Sequence, residues 1–166
     1  MLGRGGGRGD GASWVREDGV MEPRMPKYVP AQNALMKFFT SLGVKTGPVN
    51  VITVAGRKSG QPRSTPVTPW VVDGKRYVIA AISTSDWARN VRAAGEGTLT
   101  SGRNSTRVRL AEVTDPELKK RVVTAFGTEN KPGGWYLTQT GVAPNRTPEG
   151  FAAAAVHAAV FEVTPV

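Results

Sequence analysis

The order of extended segments and tight turns between residues 49 and 114 constrains the fold of this chain most strongly. β-Branched residues dominate residues 49–55, and further extended runs cover residues 64–72 and 76–82. Asp73-Gly74, which joins the last two runs, is typical of a two-residue hairpin turn. Pro66 and Pro69 place the 64–72 strand at a sheet edge or at bulges. The pattern therefore predicts an antiparallel sheet.

Helices are predicted around these strands. Apolar spacing predicts a helix over 31–42, while Ser85 as N-cap and Gly95 as a stop bracket a short helix over 86–94. The remaining predicted elements are a hairpin over 97–114, a helix over 115–126 and a last strand over 157–163. Five or six antiparallel strands with helices between them indicate a mainly β, α+β domain that forms a small barrel or closed roll.

The first 24 residues differ from the rest in composition. They contain seven glycines and little aliphatic content, and their four arginines are balanced by four acids. We expect a disordered Gly/Arg-rich extension over 1–24, followed by one domain over 25–166, with Met21 or Met25 as the expected natural start.

The residue inventory excludes several kinds of chemistry. The 166 residues include no cysteine and a single histidine, His157, in an apolar setting. Disulfides, thiolate nucleophiles and cysteine metal sites are therefore excluded, and a His-rich metal site or a catalytic triad is disfavoured. Redox chemistry carried by a bound organic cofactor remains open, because the protein then supplies only binding and orientation.

The formal net charge of +9 favours an anionic partner. Such a partner is a polyanionic cofactor, a nucleic acid or an acidic membrane surface. Because no apolar run reaches membrane-spanning length and no signal-peptide core follows the N-terminus, we expect a cytoplasmic protein. Peripheral contact of the 31–42 helix with a membrane is the alternative.

The turn Gly56-Arg57-Lys58-Ser59-Gly60-Gln61-Pro62-Arg63, which we call the basic turn, carries the clearest functional signal. Two glycines let backbone N–H groups point outward, and three cations lie within seven residues. Amide dipoles and cations that converge on one spot can hold a phosphate or a carboxylate. The alternative is an ordinary solvated hairpin turn, in which Arg63 forms a surface ion pair with Asp73 or Asp86.

The order of motifs resembles a known family. The basic turn follows a strand, and a proline-bearing strand and the Asp-Gly hairpin come next. The strand ending Ile79-Ala80-Ala81 then leads to the helix Trp87-Ala88-Arg89-Asn90-Val91-Arg92-Ala93. This arrangement is similar to the deazaflavin-dependent nitroreductase family, which comprises flavin and deazaflavin oxidoreductases of the split β-barrel fold. The resemblance covers residues 31–114 well and the last strand loosely.

The resemblance implies a split β-barrel enzyme that binds coenzyme F420 and moves a hydride from the reduced cofactor to an electron-poor small molecule such as a quinone, an enone or a nitro compound. The basic turn would grip the phosphate and the acidic tail of the cofactor, and a homodimer is implied. The cofactor-binding residues that it implies are Arg57, Lys58, Ser59 and Arg63 on the turn, Ser64, Thr65, Pro66 and Val67 beside the deazaflavin ring, Ala80, Ala81, Ile82 and Ser83 near the ring, and Trp87 and Asn90 on the helix.

The chain also departs from that family. The lysine that often follows the ring-side serine is absent, since Ser83 is followed by Thr84-Ser85-Asp86. Tyrosines that line the substrate pocket are few, which argues against activation of nitro drugs. Tyr136 is the catalytic candidate, as substrate-orienting group or proton donor. It lies in a glycine- and proline-rich segment over 130–149, and we expect the loop over 130–155 to act as a mobile lid that excludes water.

Two other functions stay open at this point. A barrel of the same kind can use FMN in place of the deazaflavin, and a basic barrel can bind nucleic acid. The second is disfavoured, because exposed aromatic residues are not interleaved with Lys and Arg along the strands. A protein that carries the cofactor without catalysis is a further possibility.

Overall fold

The structure is a computed structural model that describes residues 50–166, together with the strand path of residues 13–17 and 20–24. Strands β1 (Ser13–Glu17) and β2 (Val20–Arg24) pair as an antiparallel hairpin. The sequence predicts no regular structure there. The rest of the extension and the predicted helix over 31–42 lie outside the described residues, so the domain boundary stays a prediction.

A seven-stranded antiparallel sheet forms the centre of the described domain. Its strands are β3 (Asn50–Ala55), β4 (Pro62–Val67), β5 (Trp70–Val72), β6 (Lys75–Ala80), β7 (Glu96–Ser101), β8 (Asn104–Glu112) and β9 (Ala159–Pro165). The order across the sheet is β4-β3-β7-β8-β9-β6-β5, and the sheet curls into a half-barrel.

Four helices accompany the sheet in the described part of the domain. They are α1 (Asp86–Ala94), α2 (Pro116–Glu129), α3 (Lys131–Gln139) and α4 (Pro148–Ala154). The Asp115 carboxylate caps α2 by accepting a hydrogen bond from the N–H of Glu117, and the Thr147 hydroxyl caps α4 in the same way through Gly150. Both helices also have a proline in the first turn, where no N–H is needed.

The sheet separates two hydrophobic clusters. Val78 and Ala80 point into a cluster with α1, whereas Tyr77 faces a cluster covered by α2, α3 and α4. We call these the α1 cluster and the three-helix cluster. Alternation along β6 assigns its side chains to the two faces, as the period of two in a strand requires. The strand therefore contributes to both halves of the core.

The mixed α+β, split β-barrel class predicted from the sequence is confirmed. Asp73 and Gly74 have φ angles of 50° and 74°, as a two-residue hairpin turn between β5 and β6 requires. The 64–72 run is two strands and not one, because the chain leaves β4 after Val67 and enters β5 at Trp70. These two strands are the sheet edges, where proline is tolerated.

The loop predicted over 130–155 is wrong in its first and last parts, which form α3 and α4. Gly133 and Gly134 are buried in that helix and give room to neighbouring aromatic rings. A Cβ atom on Gly133 would lie 2.6 Å from the ring of Phe126, and one on Gly134 would lie 3.0 Å from Phe151. The glycines therefore permit close helix packing and do not indicate mobility.

We predict that Gly134→Ala destabilises the domain, although alanine normally favours a helix interior by about 1 kcal/mol. The new methyl group would meet the backbone carbonyl of Gly127, which cannot rotate away. The free energy of unfolding in urea should fall by about 1–3 kcal/mol. Gln139→Ala, at an exposed position of the same helix, is the control and should stay within about 0.5 kcal/mol. A more stable Gly134→Ala variant would contradict this packing.

Candidate functional site

The basic turn between β3 and β4 is closed by its own backbone. The N–H of Gly56 donates to the carbonyl of Gln61 at 2.8 Å, and the N–H of Gly60 donates to the carbonyl of Gly56 at 2.8 Å. Gly60 adopts a φ of 71°, which few residues other than glycine tolerate. The Ser59 hydroxyl accepts the N–H of Gln61 at 3.3 Å. These bonds define the shape of the turn before any ligand arrives.

Asn90 joins the basic turn to α1. Its Oδ1 accepts the backbone N–H of Arg57 at 3.2 Å and Nη1 of the same arginine at 2.9 Å. Asn90 is 7% exposed and is the buried polar residue of the described core. Since a buried amide must be hydrogen-bonded, both partners are held in place. The two motifs paired in the sequence, the turn and the Trp-x-x-Asn helix, are thus in direct contact.

The Arg57 guanidinium lies at the N-terminus of α1. Its Nη2 donates to Oδ1 of Asp86 at 2.9 Å, and its Nη1 lies 3.4 Å from the backbone oxygen of the same residue. The N-terminus of a helix carries partial positive charge on its free N–H groups. The positive end of α1 and the Arg57 guanidinium of the turn therefore lie at one place.

Lys58, Ser59 and Arg63 are exposed on the same turn. The stem of Arg63 lies close to Gly56, where an added Cβ atom would come within 3.2 Å of its Cγ. Neither acid proposed as its ion-pair partner takes that role, because Asp86 binds Arg57 and Asp73 binds Arg121 at 2.8 Å. The turn thus presents cationic side chains to solvent.

Ser85 occupies the N-cap position of α1, as predicted, with an extended ψ of 153°. Its hydroxyl does not cap the helix. Within the part of the chain that the structure describes, Ser85 Oγ is the buried side-chain polar atom without a hydrogen-bond partner. A buried hydroxyl left without a partner at a helix N-terminus fits a site that a ligand completes.

The segment between β6 and α1 is held through both backbone groups of Ser83. Its N–H donates to the carbonyl of His157 at 2.7 Å, and its carbonyl accepts Nη1 of Arg92 at 2.6 Å. The N–H of Ser85 donates to the carbonyl of Ile82 at 3.0 Å. The backbone of Ser83 is therefore fixed in orientation just before the N-terminus of α1, which attracts anions.

Arg92 and Glu112 form a two-pronged ion pair that the sequence does not reveal. Nε and Nη2 of the arginine each donate to one carboxylate oxygen at 2.7 Å. The guanidinium carbon also lies 6.0 Å from the ring centroid of Phe161. Glu112 ends β8 and is 20 positions away in sequence, so no local pattern points to the pair. A cation in the last turn of a helix is common, because it complements the helix dipole.

A family model for F420H(2)-dependent quinone reductase matches residues 33–142 of this sequence. The chain belongs to this family. It is therefore an F420H2-dependent oxidoreductase, as the resemblance implied. A comparison with curated protein sequences finds no match.

Solved structures similar to this reductase include the conserved hypothetical protein Rv2991 from Mycobacterium tuberculosis. It is 16% identical, the match covers 78% of this chain and 79% of that one, and the TM-score is 0.47. An F420-H2 dependent reductase, FDR-A, is 19% identical over 70% of this chain and 94% of that one, with a TM-score of 0.42. Because both TM-scores are low, the family assignment rests on the sequence match.

The predicted ring-side residues of the reductase divide between the two faces of the sheet. Val67 and Ala80 are buried in the α1 cluster, whereas Ala81 and Ile82 are buried in the three-helix cluster. The Ser64 hydroxyl is engaged with that of Thr53 at 2.8 Å. Thr65 and Pro66 lie on the same edge strand, β4, which pairs only with β3 in the described sheet. Within the described sheet, the other backbone edge of β4 has no paired strand.

Trp87 and Tyr136 lie in different clusters. Trp87 packs against the α1 cluster, with its ring centroid 6.0 Å from that of Phe161. Tyr136 lies on α3, packs against the three-helix cluster, and burial raises the pKa of its phenol. The structure therefore joins Arg57 to Asn90, packs Trp87 of the same helix against the α1 cluster, and places Tyr136 with Ala81 and Ile82.

A groove of about 390 Å³ borders the basic turn on the side of β7. Gly60 and Pro62 of the turn region line one end, and Glu96 and Arg107 line it from β7 and β8. Residues 50–166 contain no cluster of three or more His, Asp or Glu side chains that would hold a metal ion. The helices described for this chain include none long and apolar enough to cross a bilayer.

We predict a pH-dependent stability contribution from Glu112. The two hydrogen bonds from Arg92 hold the pKa of this carboxyl below its ordinary value of 4.5. A carboxylate whose pKa is lower in the folded state stabilises the fold above the unfolded pKa and loses that effect as the pH falls through the folded pKa. Glu112→Gln should therefore lower stability at about pH 7 by about 1 kcal/mol or less, because the pair is partly exposed.

Urea unfolding at about pH 7 and about pH 3 measures this effect, and the difference between wild type and Glu112→Gln should shrink at the lower pH. Glu117→Gln serves as the control, since Glu117 pairs with Lys120 at 3.3 Å on an exposed helix surface. It should change stability little at either pH. An equal loss in Glu112→Gln at both pH values would show that the carboxylate charge is not the cause.

Proposed function

We propose that this protein transfers a hydride from reduced coenzyme F420 to an electron-poor acceptor, with a quinone as the preferred class and enones and nitro compounds as alternatives. The family match supports the deazaflavin and the quinone and gives no support to FMN. The observation that carries the proposal is the contact of the basic turn with the N-terminus of α1 through Arg57 and Asn90. This contact assembles an anion site, which consists of the basic turn and the N-terminus of α1. The site lies beside the ring-side segment, residues 80–83.

The anion site suits the acidic part of the cofactor. Lys58, Ser59 and Arg63 are exposed donors on a turn of defined shape, and charge-assisted hydrogen bonds to phosphate or carboxylate are among the stronger polar contacts. Arg57 is held by Asn90 and takes part as a positioned guanidinium. The partnerless Ser85 Oγ lies at the adjoining helix end. The residues present therefore fit a polyanionic cofactor.

The ring-side residues position the reacting face. The reduced deazaflavin supplies the hydride when it is bound. The backbone of Ser83 is locked by Arg92 and the carbonyl of His157, and Ala80 and Ala81 before it are buried in the two core clusters. A rigid segment lowers the entropic cost of aligning the reactants. These residues orient the cofactor and the acceptor and do not themselves exchange electrons.

Tyr136 is the proposed proton donor, and Ser83 and solvent are the alternatives. Burial raises the pKa of the phenol, so it stays protonated at neutral pH, as a donor requires. A raised pKa also makes it a weak acid. If Tyr136 donates the proton, Tyr136→Phe should lower kcat about a hundredfold without changing the affinity for the cofactor. An unchanged kcat would assign the proton to Ser83 or solvent.

We predict that the double variant Arg57→Ala/Lys58→Ala loses most of its affinity for F420. Removing two cationic donors should raise the Kd at least about tenfold, because a charge-assisted bond contributes roughly 1.5–3 kcal/mol and Arg57 already has Asp86 as a partner. Titration followed by the intrinsic fluorescence of the deazaflavin measures the Kd. Lys120→Ala/Arg121→Ala on α2 removes the same charge from an exposed site with no role in the turn. It should leave the Kd within about twofold, whereas equal losses in both variants would indicate only nonspecific charge attraction.

Turnover tests the enzymatic part of the proposal. Reduced F420 is mixed with a quinone, an enone or a nitro compound, and loss of the reduced cofactor is followed by absorbance. We expect the quinone to have the highest kcat/KM. Binding without turnover of any acceptor would leave a cofactor-carrying protein. Homodimer formation, cytoplasmic location and peripheral membrane contact stay predictions.

A further inference from the structure

We infer that Asp86 is an internal competitor for the anion site: its carboxylate occupies the Arg57 guanidinium until a phosphate or carboxylate of the ligand replaces it. This inference rests on the proposed function, because it takes the polyanionic cofactor as the ligand. The proposed function names residues that promote cofactor binding. Asp86 is a residue that weakens it. None of the predicted site residues has that role.

The geometry distinguishes the two sides of the Arg57 guanidinium. Nη1 is engaged with Asn90 Oδ1 and approaches the Asp86 backbone oxygen, so it is held against α1. Nη2 has the Asp86 carboxylate as its partner, at 2.9 Å. The Arg57 side chain is 23% exposed, whereas the Asp86 side chain is 85% exposed. The guanidinium is therefore held in place, and its carboxylate partner is free to leave.

The position of Asp86 makes its charge matter to an incoming anion. It is the first residue of α1, at the helix end that attracts negative charge. An ion pair whose carboxylate is 85% exposed contributes little to stability, so exchange of the Asp86 carboxylate for a ligand anion meets little resistance. The displaced carboxylate nevertheless stays nearby and repels the ligand. Binding is therefore weaker than the cations of the turn alone would allow.

This arrangement favours ligands with several negative charges. A ligand with a single anionic group that takes the place of Asp86 exchanges one ion pair for another and gains little. A ligand with a phosphate and a chain of carboxylates also engages Lys58, Ser59 or Arg63, which the structure leaves exposed. Asp86 thus raises the number of charges that a ligand needs, which is a form of specificity by repulsion.

The test is the isosteric variant Asp86→Asn, which retains an oxygen for Arg57 and removes the charge. We expect it to bind F420 about five- to tenfold more tightly than wild type at low salt, with the gain shrinking at about 1 M salt. Its thermal unfolding midpoint should stay equal or fall slightly, because a negative charge is lost from a helix N-terminus. Tighter binding with no gain in stability is not expected of a merely structural residue.

The matched control is Asp73→Asn. Asp73 forms an aspartate–arginine pair of similar length, 2.8 Å to Arg121, also exposed, on the β5–β6 turn. The Asp73→Asn variant removes the same charge as Asp86→Asn, and its affinity for F420 should equal that of wild type. Calorimetric titration of all three proteins with F420 supplies the Kd values. Equal gains in Asp73→Asn and Asp86→Asn would assign the effect to net charge and overturn the inference.

Two further outcomes separate this inference from the proposed function. Saturable F420 binding by wild type, with equal or weaker binding by Asp86→Asn, overturns the role of Asp86 and leaves the proposed function standing. Absence of F420 binding by every variant overturns the proposed function and the inference together. Tighter binding by Asp86→Asn alone supports both.

Discussion

The functional half of this domain depends on the pair of hydrogen bonds that Asn90 Oδ1 accepts from Arg57. One comes from the backbone and the other from the guanidinium, so a single buried oxygen sets both the path of the basic turn and the direction of its first cation. Leaving that oxygen or the backbone N–H without a partner would cost about 1–3 kcal/mol. The turn and α1 therefore behave as one unit.

A second anchor fixes the other end of the same helix. Arg92, in the last turn of α1, binds the carboxylate of Glu112 on β8 and the carbonyl of Ser83 before the helix. Gly95 then ends the helix in the left-handed conformation, with a φ of 68°. Because α1 is attached at both ends, the proposed anion site at the basic turn and the Ser83 segment keep a constant separation. A preorganised site loses less entropy on binding a long, flexible cofactor.

Much of the local structure could be predicted from the sequence, because its signals act over a few residues. Backbone preferences explain the Asp73-Gly74 turn, the α1 bounds at Asp86 and Ala94, and the proline-bearing edge strand β4. The pairing of the basic turn with the Trp-x-x-Asn helix also pointed to the site. The roles of these site residues in cofactor binding are predictions.

What the sequence could not reveal depends on contacts between distant residues. Gly133 and Gly134 are typical of a mobile segment, yet they allow Phe126 of α2 and Phe151 of α4 to pack against α3. The partners of the ionic side chains were equally hidden, since Asp86 pairs with Arg57 and not with Arg63. Strand order across the sheet, with β9 between β8 and β6, is likewise set by tertiary packing.

The most direct test of this account is a crystal structure of the protein with F420 bound. The account predicts the phosphate within hydrogen-bond distance of Lys58 or Ser59, at the N-terminus of α1, with Asp86 turned away from Arg57. The deazaflavin ring would lie between the β4 edge and Ser83. A cofactor whose phosphate and carboxylates lie away from the basic turn, with the Arg57–Asp86 pair intact, would contradict it.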